Sequence, residues 1–183
     1  MYELDAALTH AVNRLAGASA LVDALVIWVS AIGVPLLVFV VAAQWWVPTE
    51  RTRTRHVLIA TGLAFIVGLV LNQFVLLFLH RMRPYAAGVT HLLVAPSADY
   101  SFPSDHATAS LAIAAGFLLH GFRRRGLALL AAALLIAFSR VYIGTHYLGD
   151  VIGGALTGIL AAALVRLYYL EGTRLDLALT RIW

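Results

Sequence analysis

Cysteine is absent from the 183 residues, so the chain has neither a disulfide framework nor a thiolate metal site. Lysine is absent as well: all 13 basic residues are arginine. Charge of either sign is scarce, at 12% of residues against about 25% in an ordinary globular domain. That scarcity excludes a soluble enzyme with a solvated surface. The net charge is only +4, and no basic run is interleaved with aromatics, which excludes a nucleic-acid partner. Glu3 and Asp5 stand where a signal peptide would carry positive charge, so no cleavable signal is expected. Internal repeats and low-complexity linkers are missing too.

What remains is apolar. Hydrophobic residues make up 62% of the chain, and the mean hydropathy is +0.89. The expectation is an all-α, polytopic membrane helix bundle, one domain over residues 1–183. Leu4, Leu8, Val12 and Leu15 repeat at helical spacing among Glu3, Asp5, His10 and Arg14, which predicts a short interfacial helix over 1–19. About five transmembrane helices follow: 20–48, with Pro35 inside it as a kink; 57–79, stopped by Pro84; 104–121; 127–142; and 146–170. The arginines at 51–55 and 123–125 read as basic turns, residues 85–103 as a loop, and 171–183 as a tail on the membrane surface. Gly153, Gly154 and Gly158 read as close helix packing.

With five spans, nine of the 13 arginines share one side. The positive-inside rule makes that side cytoplasmic. Arg14, Arg81, Arg83 and Arg140 stay outside, and so does every candidate chemical residue.

Three clusters reach that outer level. Ser139, Arg140, His146 and Asp150 form the first. Gly144-Thr145 reads as a helix break and N-cap, which puts His146 in a first turn with Asp150 one turn on, on the same face. A carboxylate there aims an imidazole, and Arg140 offers a fork of donors to an anion. Pro103-Ser104-Asp105-His106 forms the second, at a helix N-terminus with free amides. For Ser104 and Asp105 alone, simple capping is the plainer account. Arg81-Met82-Arg83-Pro84 forms the third. Together these groups describe a phosphate pocket, in which one histidine attacks phosphorus and the other protonates the leaving oxygen. His106, His146 and Asp150 are also a metal-type donor set, although the neighbouring arginines repel a cation. His10, His56, His80, His91 and His120 read as interfacial or loop residues.

These motifs resemble the type-2 phosphatidic-acid phosphatase superfamily, which includes membrane lipid phosphatases and soluble vanadium haloperoxidases. The pattern S-R-x5-H-x3-D is complete in Ser139, Arg140, His146 and Asp150; P-S-G-H stands as Pro103, Ser104, Asp105 and His106, with Asp for Gly. K-x6-R-P keeps Arg83-Pro84; Leu76 occupies the lysine position, and Arg81 is expected to substitute. The similar region spans residues 76–150. The resemblance implies His146 as nucleophile through a phosphohistidine, Asp150 as its orienter, His106 as general acid, Arg83, Arg140 and Ser104 as phosphate ligands with Ser139 beside them, and no metal or other cofactor. It is nearest to the undecaprenyl-diphosphate phosphatases of the bacterial cell envelope, which serve cell-wall peptidoglycan synthesis. It therefore implies a polyprenyl or other lipid phosphate substrate, a site on the outer face of the bacterial inner membrane, and no obligate protein partner. A phosphatidate or phosphatidylglycerol-phosphate phosphatase is the alternative. A lipid transporter that only binds phosphate is a more distant one, for which Asn72-Gln73 inside a span is the best support.

Overall fold

The computed structural model describes residues 2–181, so residues 182–183 of the expected surface tail lie outside the described residues. The described chain is all helical: α1 (Tyr2–Asn13), α2 (Ala20–Ala43) with a 3₁₀ turn Gln44–Trp46, α3 (Arg51–Leu76), α4 (Asp105–Leu119), α5 (Arg123–Tyr142), α6 (Leu148–Tyr168) and α7 (Arg174–Thr180).

Four helices, α2, α3, α5 and α6, are long and apolar enough to cross a bilayer. The fifth expected span, α4, is apolar but has only 15 residues. At 1.5 Å per residue it is about 22 Å long, short of a hydrocarbon core of about 30 Å. The shortness is tolerated because α4 is the axis of the bundle. Every residue from Ala107 to Phe117 is buried, against α3, α5 and α6. Its many alanines make it thin, and α6 meets it with glycines. A Cβ on Gly154 would lie 2.4 Å from the Ser104 carbonyl oxygen, and one on Gly158 2.4 Å from that of Thr108. By contrast α2, which holds Pro35, exposes Leu25, Trp28, Ile32, Leu36 and Phe39, an apolar stripe suited to lipid.

Several boundaries differ from expectation. Arg51, Arg53 and Arg55 do not form a turn; they begin α3. At the other end α3 stops at Leu76, well ahead of Pro84, because the amides of Leu77 and Phe78 bond back to Phe74 and Val75 in a tightening turn. Arg123–Arg125 likewise open α5. The two arginine-rich helix starts meet: Arg53 donates to the His120 carbonyl at 3.3 Å and lies 5.1 Å over the Phe122 ring. They mark one end of the bundle. Residues 77–104, the α5–α6 turn and α1 mark the other.

His56 is not interfacial. It is buried, with Nδ1 2.8 Å from Asp176 and its ring stacked on Tyr169 at 4.8 Å. Asp176 also accepts the Tyr169 hydroxyl at 2.7 Å and the Gly172 amide at 2.8 Å. These donors converge on one carboxylate and dock α7 against α3, so the tail is tied in as far as Thr180.

The α4–α6 contact predicts that Gly158→Leu destabilises the fold by about 1–3 kcal/mol or more through overpacking. Thermal unfolding in detergent reads this as a lower midpoint. Gly62→Ala, which meets nothing within 4 Å, leaves the midpoint unchanged or slightly raised.

Candidate active site

The α5–α6 turn brings His146 into place. Gly144 has φ +81°, and a Cβ there would lie 2.4 Å from the His91 carbonyl oxygen, so glycine is required. The amides of Thr145 and His146 bend back to the Arg140 carbonyl, and the Thr145 hydroxyl joins them at 2.9 Å. Those groups close α5 and are not free to open α6. The N-cap of α6 is therefore Tyr147 and not Thr145, and His146 stands just ahead of the helix.

His146 is buried. Its Nδ1 donates to the Ser101 carbonyl at 2.8 Å. A carbonyl only accepts, so Nδ1 carries the hydrogen and Nε2 keeps its lone pair. That lone pair faces Arg83, whose Nη1 is 3.3 Å away. Burial holds His146 below the ordinary histidine range; Asp150 opposes this, and Arg140 and Arg83 reinforce it.

Asp150 lies 3.6 Å from His146 Nδ1, which is ion-pair distance and not a hydrogen bond. Its carboxylate instead accepts Arg81 at 2.7 Å, the Ser101 hydroxyl at 2.5 Å and the Tyr147 amide at 2.8 Å. Asp150 acts on the imidazole by charge and by fixing Ser101, whose carbonyl holds the ring.

Arg83 is buried and bonds the Thr145 carbonyl at 2.9 Å, the Asp99 carbonyl at 3.1 Å and the Asp99 carboxylate at 2.8 Å, which uses three of the five N–H donors of a guanidinium. Burial of Asp99 is outweighed by the Ser97 hydroxyl and Arg83, and its carboxyl is held below the usual range. Arg140, in the last turn of α5, donates to the Ser30 hydroxyl of α2, while its buried Nε has no partner. His106, in the first turn of α4, lies within electrostatic reach of Arg140, His146 and Arg83. Ser104 occupies the N-cap of α4, yet its hydroxyl does not cap; the oxygen is buried without a partner. Among the described residues, the Ser104 hydroxyl and the Arg140 Nε are thus buried without a hydrogen-bond partner. Buried groups of this kind are ordinarily satisfied by protein, water or ligand.

Two expected phosphate ligands lie elsewhere. Arg81 spans Asp5 at 2.6 Å and Asp150 at 2.7 Å and covers the Tyr147 ring at 3.8 Å, so its donors are turned behind the imidazole. Ser139 donates back to the Ile136 carbonyl at 2.6 Å, within its own helix. Asp105 takes the Asn72 amide at 2.7 Å, and Asn72 also reaches Thr108 at 2.8 Å, which gives the polar residue inside α3 a packing role. Among the described residues no group of three or more histidines, aspartates and glutamates has metal-holding geometry. Ser101, Asp99, Ser30 and Asp5 went unrecognised in the sequence. Ser101 acts through its carbonyl as well as its hydroxyl, and no sequence pattern marks that.

The comparisons fit this architecture. The sequence profile of the PAP2 superfamily matches residues 55–174. The chain is 33% identical over 154 residues to the undecaprenyl-diphosphatase BcrC of Bacillus subtilis, covering 84% of this chain and 78% of the relative. It is 32% identical over 119 residues to an undecaprenyl-diphosphatase of Sulfolobus acidocaldarius, covering 62% and 58%. A transmembrane PAP2-type phosphatidylglycerolphosphate phosphatase from Bacillus subtilis shares the fold with a TM-score of 0.68 at 23% identity, covering 94% of this chain and 88% of that one. By profile, relatives and fold, the chain belongs to the PAP2 superfamily and, within it, to the multi-pass membrane lipid phosphatases.

Proposed function

We propose that the protein hydrolyses a prenyl diphosphate, converting undecaprenyl diphosphate to undecaprenyl phosphate and inorganic phosphate at the extracytoplasmic face of the bacterial cell membrane. The observation that carries this reading is the tautomer of His146: Nδ1–H is given to Ser101, and the Nε2 lone pair is aimed at Arg83. Nε2 attacks the terminal phosphorus, and the P–O bond to the lipid phosphate breaks. His106 gives that oxygen its proton. Water then attacks the phosphohistidine, returning a proton to His106 and freeing phosphate. Arg83, Arg140, the Ser104 hydroxyl and the α4 amides receive the charge that builds on the equatorial oxygens. Of the two further residues expected as ligands, Arg81 acts from behind the imidazole through Asp150, and Ser139 is spent within its own helix. The names of the relatives support the diphosphate, and the distribution of arginines supports the outward face. No step calls for a metal.

His146→Ala is expected to lower kcat by about a thousandfold or more. EDTA leaves the wild-type rate within about twofold. The measurement is phosphate release by purified protein from undecaprenyl diphosphate, phosphatidate and phosphatidylglycerol phosphate; a higher kcat/KM on either glycerolipid would replace the prenyl substrate. Because burial depresses His146, the imidazole is already neutral at neutral pH. The acid limb of the kcat/KM profile is expected below the ordinary histidine value of about 6.5.

The absence of cysteine makes sidedness directly testable. Ala86→Cys, exposed in the connection beside the site, should react with an impermeant maleimide on intact cells. Arg124→Cys, exposed at the opposite end, should react only after lysis. The reverse pattern would place the site in the cytoplasm.

A further inference from the structure

We infer that helix α1 is a positioning element of the catalytic centre: Asp5 holds Arg81 between two carboxylates and thereby sets how much of the Asp150 charge reaches His146. The inference rests on the reading of His146 as nucleophile.

An interfacial helix has no need of a carboxylate turned into the protein, yet both oxygens of Asp5 are used. Oδ2 accepts Arg81 Nη2 at 2.6 Å, and Oδ1 accepts the Gly149 amide at 2.8 Å. One turn on, the Thr9 hydroxyl oxygen accepts the Leu148 amide at 3.0 Å. These are the first two amides of α6, which that helix cannot satisfy itself, so α1 caps it from outside. Asn13 completes the clamp: it donates to the His91 carbonyl at 2.9 Å and the Tyr142 carbonyl at 2.8 Å, and accepts the His91 amide at 2.7 Å. The remaining nitrogen of the Arg81 fork reaches Asp150 at 2.7 Å. A single guanidinium is thus divided between the carboxylate next to the nucleophile and one supplied by α1. The charged and titratable groups facing this chain are Tyr2 and Asp5 from α1, Arg81, Arg83 and Asp99 from the connection, His106 from α4, Arg140 from α5 and Tyr147 at the head of α6.

The test is the pH profile of lipid-phosphate hydrolysis by the purified full chain. Asp5→Asn keeps a carbonyl oxygen for the Gly149 amide and removes the charge. Arg81 then bears undivided on Asp150, and protonated His146 loses support. The expected result is a kcat lower by about tenfold, a KM within about twofold, and an acid limb of kcat/KM moved down by about half a pH unit. Arg81→Gln leaves Asp150 unopposed and moves that limb up by a similar amount. Asp5→Glu restores most of kcat, and Thr9→Ala, which loosens the cap without changing charge, leaves the limb in place. Each profile is taken against wild type on the same lipid, so the ionisation of the substrate cancels. Should Asp5→Asn fail to fold, the opposed behaviour of Arg81→Gln and Thr9→Ala decides the matter. Limbs that stay fixed, or move together in both charge variants, overturn the inference while His146→Ala remains inactive. A wild type that releases no phosphate, or an active His146→Ala, overturns the phosphohistidine reading and this inference with it.

Discussion

The outer end of this bundle depends on one buried carboxylate. Asp150 has no exposed surface, and it gathers an arginine and a hydroxyl from the two ends of the α3–α4 connection and a backbone amide from the head of α6. An ion so enclosed is costly unless its lone pairs are filled, and removing one partner from such a group typically costs several kcal/mol. The donors explain why the irregular connection between α3 and α4 is ordered at all. Ser101 is pinned by its hydroxyl to Asp150 and by its amide to the Arg81 carbonyl, and its own carbonyl then fixes the imidazole. Tyr147, pinned by its amide, starts α6. A single side chain thereby sets both the rotation of the His146 imidazole and the place where the helix behind it begins.

That end is carried by a thin central helix. The N-terminus of α4 comes close to α6 because Gly154 lets the Ser104 carbonyl approach, and the Ser104 amide in turn bonds the Asp150 carbonyl at 3.1 Å. The contact that packs the membrane interior is therefore the one that sets the depth of the Ser104 hydroxyl relative to Asp150. Stability and site geometry share these atoms, so a core change in α6 is also a change in the site.

Much of this was legible in the sequence, for reasons of spacing. His146 and Asp150 are four residues apart, and Arg83 and Arg140 are charges beside apolar runs where charge is otherwise excluded. The bundle was legible from the lengths of the apolar segments. The start of α6 was not, because Gly144 admits a positive φ that sends the following amides backward to α5. Asp5 was not, because a carboxylate on an amphipathic helix looks the same whether it meets water or arginine. His56 was misjudged on the same ground: its partner Asp176 lies far along the chain, in a short helix that no periodicity announces. Arg81 and Ser139 fell within motifs yet spend their donors on other partners. Motif membership fixes where a residue lies along the chain, and the packing decides which way it points.

The charge balance of the site indicates where an anion belongs. Arg81 is shared by Asp5 and Asp150, and Arg83 is paired with Asp99. Among the described residues Arg140 has no carboxylate in hydrogen-bond contact; it donates to the Ser30 hydroxyl, and its Nε is open. The three arginines and three aspartates cancel on paper, but they do not cancel in space. The surplus negative charge sits behind the imidazole, at Asp5 and Asp150, and the surplus positive charge sits ahead of it, at Arg140. His146 lies between them, its hydrogen on the Nδ1 edge, toward Asp150, and its lone pair on the Nε2 edge, toward Arg83. On the proposed reading, an anion is drawn to the open guanidinium of Arg140 on the side where the His146 lone pair lies, which is what attack on phosphorus asks of the site.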